Sequence, residues 1–252
     1  MSTYLWQNFL HDSKVQQYIA AKISGLYKEY KAEGIIEIGP GKGAITKRIK
    51  DIAQYFLVIE KDTTMQKYLE KILSDDQIYF ADVLESEPEK LLTNKWISAK
   101  KTIVVGNLPY YITSPILRKF FGNGKQGRGA GFFMMQKEVG DKIHSDAKKK
   151  SYLWWILNHS YTVHYRKTVP AKAFRPAPKV QSCLIALTPK KDPRPIAMDT
   201  LIQFLDVFAP YSRKTLGKIA KMTGTDFVVP DHIASQRLED CSIDQIKEII
   251  QP

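Results

Sequence analysis

The chain of 252 residues is 44% hydrophobic, which is enough for one sizeable core and a small second unit, and its 38 Lys and Arg against 26 Asp and Glu leave a formal charge of +12. Such a balance favours a polyanionic partner, while two cysteines, Cys183 and Cys241, are too few for a disulfide framework or a cysteine-built metal site. No basic-then-apolar leader is seen and no apolar run approaches a membrane span, so a soluble cytoplasmic protein with reduced thiols and no metal is expected.

Residues Met1 to Leu10 carry little helical signal. Asp12-Ser13 then caps a helix whose apolar positions Val15, Tyr18, Ile19, Ile23, Leu26 and Tyr30 share one face, packed beside the first strand. The apolar run from Ile35 to Ile38 is that strand, Gly39-Pro40-Gly41-Lys42-Gly43 a tight turn, and helical spacing resumes at Ala44. Strand Tyr55 to Glu60, helix Thr63 to Leu73 and strand Gln77 to Ala81, ending at Asp82, follow. Next come strand Lys101 to Gly106, helix Thr113 to Phe121 and strand Gly131 to Gln136. This alternation predicts a parallel sheet covered on both faces.

The glycine-rich stretch Gly122 to Gly131 lacks the Gly-Lys-Ser/Thr ending of a phosphate-binding loop and reads as a flexible connection. Lys148 to Lys150 form a polar run open to solvent or to RNA. A helix holding Tyr152, Trp154, Trp155 and Ile156 follows, its tryptophans read as core, and Tyr161 to Tyr165 with Gln181 to Leu187 make a closing pair of strands. Pro189 to Pro195 breaks regular structure, which places a domain boundary near Lys190: residues 1–190 form the larger unit and 191–252 a small helical one. In the latter Leu201, Phe204, Leu205 and Phe208 share a face, a turn falls at Pro210, and a last helix spans Ser242 to Ile249.

The strand, glycine turn and helix around Gly39 bring bare backbone to a ligand, and Glu60, ending the next strand, can accept both hydroxyl protons of a ribose. An adenosine-containing cofactor is implied. A dinucleotide fingerprint is Gly-x-Gly-x-x-Gly, but here the third glycine comes one residue early and Ala44 stands in its place, beside Glu37 within the strand. That pattern suits S-adenosylmethionine, which has no phosphate and welcomes carboxylates near its ammonium and ribose, better than NAD. At the end of the fourth strand stands Asn107-Leu108-Pro109-Tyr110. The Asn107 side-chain oxygen and the Leu108 carbonyl are placed to accept the two protons of an adenine N6 amine and force it towards a pyramidal, nucleophilic geometry. Pro109 fixes the turn and Tyr110 stacks on the base. Positioning then carries most of the rate.

With these residues the chain resembles the ribosomal RNA adenine N6-dimethyltransferase family over nearly its whole length. The matching stretches are Gln7 to Leu10, Glu37 to Gly43, Ile59-Glu60, Asp82, Asn107 to Tyr110, Gln136 to Val139, Phe174 to Ser182 and Ser212 to Leu216. The resemblance implies a Rossmann-like α/β methyltransferase sheet with a small C-terminal helical RNA-binding domain. It also implies cofactor contacts from Asn8, Leu10, Gly39, Gly41, Glu60, Asp82 and Asn107, with Asp82 on the adenine amine. Phe174 would close the far face of the flipped base opposite Tyr110. A phenylalanine among prolines is as often a packing anchor, but Lys172, Arg175 and Lys179 beside it favour a base-stacking loop.

Leu108 and the run Arg213 to Leu216 favour the small-subunit branch over the large-subunit resistance methylases. The expected partner is then ribosomal RNA, within an immature small subunit during ribosome biogenesis, and the expected state a monomer. A non-catalytic assembly factor is the reading from another class, opposed by Glu60, Asp82, Asn107 and Tyr110. The pattern departs at Trp6, at Leu153 and in the short helical tail, which bears on RNA docking rather than on methyl transfer.

Overall fold

The computed structural model describes residues 8–87, 98–122, 129–191 and 196–251. Trp6, Gln7, residues 123–128 of the glycine-rich connection and 192–195 of the proline-rich break lie outside the described residues.

In chain order the elements begin with β1 (Phe9–Leu10), α1 (Ser13–Glu29), β2 (Gly34–Ile38), α2 (Thr46–Ile49), β3 (Tyr55–Glu60), α3 (Gln66–Leu69) and β4 (Ile78–Phe80). They continue with β5 (Thr102–Asn107), α4 (Thr113–Phe121), β6 (Ala130–Gln136), α5 (Lys137–Ile143), α6 (Tyr152–Ser160), β7 (Tyr161–Val169), β8 (Phe174–Arg175) and β9 (Ser182–Pro189). The tail adds α7 (Met198–Phe208), α8 (Leu216–Thr223), α9 (Asp231–Ala234) and α10 (Ile243–Ile250).

The main sheet has seven strands in the order β4-β3-β2-β5-β6-β9-β7, and β1 pairs separately with β8. The strands β4, β3, β2, β5 and β6 run parallel, while β9 runs antiparallel to both β6 and β7. Successive residues explain why both faces are covered. Ile35, Ile103, Val105, Phe132 and Met134 bury one face against α1 and α2, and Ile36, Ile38, Val104, Phe133 and Met135 bury the other against α4. Near-continuous apolar strands of this kind are stable only between two helical layers.

The α1 helix starts where its cap predicts: the Asp12 carboxylate accepts the N–H groups of Lys14 and Val15 at 2.9 and 3.1 Å. Val15, Ile19, Ile23 and Leu26 are buried, with Tyr18 and Tyr30 at the margin. The helix expected over Thr63 to Leu73 contracts to a 3-10 turn, Thr63–Met65, and the single α-turn of α3. Met65, Leu69 and Leu73 are the residues it buries, and so short a segment gains little from continuing. Sequence reading passed over α5, because Gly140 interrupts its pattern. Gly140 is buried against Cys183 of β9, where a Cβ would collide with the thiol sulfur.

In the tail, Leu201, Phe204, Leu205 and Phe208 join Leu216, Ile219, Ile246 and Ile249 in a core of their own, which also takes in Trp154, Trp155 and Ile156 of α6. Both tryptophans are core residues, as expected. Among the described residues no helix is long and apolar enough to cross a membrane, and no group of three or more His, Cys, Asp or Glu is placed to hold a metal ion.

Candidate active site

The chain runs from β2 outward to β3 and β4, then returns to lay β5 on the other side of β2. This reversal opens a crevice at the carboxyl ends of β2 and β5, where sheets of this type bind ligands. The two strands approach closely there: a Cβ on Gly106 of β5 would lie 2.5 Å from the Ile38 carbonyl oxygen. In the crevice lies a cavity of about 360 Å³, within the roughly 300–1,000 Å³ of small-molecule sites. It is lined by all eleven residues singled out from the sequence: Asn8, Leu10, Gly39, Gly41, Glu60, Asp82, Asn107, Leu108, Pro109, Tyr110 and Phe174.

Gly39, Gly41 and Gly43 have φ values of +64°, +55° and +77°, a left-handed path that side chains rarely adopt. The loop lays its backbone along the cavity, and the N–H of Gly41 donates to Glu60 Oε2 at 2.9 Å. Glu60 Oε1 accepts the N–H of Asp62, also at 2.9 Å. Burial pushes the Glu60 carboxyl up, and these N–H groups pull it back towards the ionised form. The Gly41 and Asp62 N–H groups fall on different oxygens and the Lys61 N–H adds to them, which leaves lone-pair room on the carboxylate for hydroxyl protons such as a ribose presents. Asp82 is held below the usual carboxylate range by the Lys61 ammonium at 2.6 Å and by the Leu84 N–H at 2.8 Å. Glu60 and Asp82 on the wall of a cavity of this size match the hydroxyl and cationic groups of S-adenosylmethionine.

Glu37, a third acidic residue at the cavity, is kept neutral instead. It is buried beneath the loop, accepts the Thr46 hydroxyl at 2.7 Å, and is pushed up to about 8 by burial, with Glu60 adding to the shift. The folded protein therefore keeps a proton on Glu37 over a pH range in which the unfolded chain has lost it. Its contribution to stability is fully present below the unfolded value near 4.5 and is lost as pH rises through about 8. Unfolding midpoints should show wild type losing stability relative to Glu37→Gln between these limits. Parallel pH profiles for the two proteins would mean that Glu37 is ionised at neutral pH.

The Asn107 tetrapeptide is anchored at each step. Asn107 Nδ2 donates to the Asn8 carbonyl at 3.4 Å, which leaves Oδ1 to accept from a ligand. The Leu108 N–H donates to the Met134 carbonyl at 2.9 Å, and the Pro109 carbonyl accepts the Thr113 hydroxyl at 3.0 Å. Tyr110 shares a hydrogen bond of 2.8 Å with the Ser182 hydroxyl, and burial raises its phenol. Ser182 is fully buried at the start of β9, so it clamps the ring in one orientation. Ser182→Ala should lower turnover about 3- to 10-fold through loss of one buried hydrogen bond of ~1 kcal/mol, with unchanged cofactor affinity. In a Tyr110→Phe background the same change should cost almost nothing; an equal loss there would show that Ser182 does not act through Tyr110.

Phe174 is a core residue that also reaches the cavity. It borders the cavity, and it is also 2% exposed, packed in the core opposite Leu10 in the β1–β8 pair. Phe174→Ala would therefore open a core void as well as remove a ring, at ~3–5 kcal/mol of stability, which makes Phe174→Leu the cleaner probe. Sequence reading also passed over Ser182, Thr46 and Lys61 as partners of Tyr110, Glu37 and Asp82. Ser182 ends the matching stretch that begins at Phe174, and that was its only signal.

The family model described as ribosomal RNA adenine dimethylase matches residues 2–251. The chain belongs to this family. Among its relatives, the ribosomal RNA small subunit methyltransferase A of Hydrogenobaculum sp. (strain Y04AAS1) is 32% identical over 244 residues, covering 96% of this chain and 89% of the relative. The protein of that name from Chlorobium limicola is 32% identical over 249 residues, covering 98% and 91%. The fold is shared with a dimethyladenosine transferase from Plasmodium falciparum, at a TM-score of 0.73 and 19% identity over 96% of this chain and 95% of that one. It is also shared with the 23S rRNA methyltransferase ErmE, at a TM-score of 0.64 and 19% identity over 97% and 98%. As a family member the chain is an S-adenosylmethionine-dependent rRNA methyltransferase with a Rossmann-like fold.

Proposed function

We propose that this protein transfers methyl groups from S-adenosylmethionine to the N6 amine of adenines in small-subunit ribosomal RNA, giving N6,N6-dimethyladenosine, and that it works in the cytoplasm, as a monomer, on an immature subunit. The observation that carries this reading is the meeting of Asn107-Leu108-Pro109-Tyr110 with Gly39, Gly41, Glu60 and Asp82 around one cavity. The names borne by relatives at 32% identity support the small subunit as the substrate.

Glu60 would hold the ribose hydroxyls, Asp82 the adenine amine, and Asn8, Leu10, Gly39 and Gly41 the remaining surface of the cofactor. S-adenosylmethionine, when bound, supplies an electrophilic methyl carbon on a cationic sulfur. Asn107 Oδ1 and the Leu108 carbonyl would accept the two N6 protons of a target adenine, drawing its lone pair out of the ring. Tyr110, held by Ser182, would stack on one face of that base while Phe174 closes the other. The amine needs no strong base beforehand, since the alkylated nitrogen is acidic and sheds its proton afterwards.

We further propose that residues 1–190 form the catalytic domain and 191–252 a helical domain that grips RNA. Labelled methyl transfer to small-subunit particles from cells lacking the protein, followed by mass spectrometry of the nucleosides, tests the reading. Dimethyladenosine is expected. Transfer to no adenine, with the RNA still bound, would leave the non-catalytic assembly factor as the better description.

A further inference from the structure

Tyr110 and Tyr111 are consecutive, yet the fold treats them oppositely. Both lie in the 3-10 turn Tyr110–Ile112 and both border the cavity. The Tyr110 hydroxyl is held by Ser182, whereas Tyr111 is 67% exposed. A lone exposed tyrosine on a general surface needs no explanation. Here the ring stands at the mouth of the cavity, where the chain of any nucleotide whose base has entered must emerge.

The charge at that mouth narrows what the ring would meet. Lys61 also borders the cavity, but its ammonium is paired with the Asp82 carboxylate at 2.6 Å. Beside Tyr111 the protein therefore offers an aromatic face with little net charge, which suits an unpaired base better than a phosphate. Single-stranded RNA is held by such faces, and stacking tolerates any base.

We propose that Tyr111 is a stacking subsite for the base adjacent to the target adenine, so that the turn Tyr110–Ile112 grips two successive nucleotides, one inside the cavity and one at its lip. The proposal rests on the RNA-adenine reading above and adds to it a contact outside the reacting base. The subsite accepts any base, and purines, with their larger surface, best.

The test uses the full-length protein and small-subunit particles from cells lacking it. Tyr111→Ala and Tyr111→Leu should each lose about 10-fold in kcat/KM for the particle, within the range expected for one stacked base. Tyr111→Trp should stay within twofold of wild type. Calorimetry with S-adenosylmethionine should give one affinity for all four proteins, which also shows that each is folded, and the salt dependence of KM should not change because no phosphate contact is lost. Small-subunit RNA ligated to carry an abasic nucleotide on one side or the other of the target supplies the direct arm. One of the two positions should reproduce the tenfold loss with wild type and add nothing to Tyr111→Ala. The subsite is overturned if Tyr111→Ala lies within twofold of wild type, if Tyr111→Leu matches Tyr111→Trp, or if neither abasic position affects wild type. Failure of wild type to methylate any adenine would be a different result and would remove the functional reading itself.

Discussion

Asn107→Ala is expected to lower methyl transfer about 100-fold or more, the scale on which one preorganised polar group aimed at the reacting centre is lost. The side chain sits at the last position of β5, and its Nδ2 is committed to the Asn8 carbonyl. Rotation of the amide to bring nitrogen towards a substrate amine is therefore opposed. Truncation removes the acceptor and also frees the segment that carries Asn8. RNA affinity should barely change, because one amide oxygen counts for little beside the phosphate contacts open to a chain of formal charge +12. Single-turnover transfer and RNA binding, measured on the same preparation, separate the two effects. A mutant that transfers at the wild-type rate would show that Asn107 is only a strand-end residue.

Glu60→Ala should weaken S-adenosylmethionine binding by roughly 10- to 100-fold, since hydrogen bonds to a charged group contribute about 1.5–3 kcal/mol. Two effects combine in that loss. On the proposed role of Glu60 the ribose hydroxyls would lose their acceptor, and the N–H groups of Gly41 and Asp62, each at 2.9 Å from the carboxylate, lose theirs. The glycine loop should loosen as a result. Glu60→Gln retains one acceptor oxygen and should fall between wild type and alanine. Calorimetric affinities that leave all three proteins alike would reduce Glu60 to a loop anchor.

Much of this protein follows from its residue order alone. Apolar spacing locates Tyr55–Glu60 and Thr113–Phe121 to the residue and most other strands to within one or two, while the strand expected over Tyr161 to Tyr165 runs on to Val169. Gly39 to Gly43, Glu60, Asp82 and Asn107 were legible as candidates because in an alternating α/β chain the residue that ends a parallel strand faces the same crevice. What the sequence could not carry is pairing across distance. The hydrogen bond of Tyr110 to Ser182 spans 72 positions and that of Asn107 to Asn8 spans 99. Only the placement of β5 beside β2, of β9 beside β6, and of β1 beside β8 brings those atoms together. Burial is equally a property of the assembled layers. It raises Glu37 to about 8, places Phe174 in the core as well as at the cavity, and leaves Tyr111 outside while its neighbour is held within. Residue type determined which groups this chain has for methyl transfer; tertiary packing decided which of them share a cavity, because proximity between distant residues is created by the sheet order and not by the local chain.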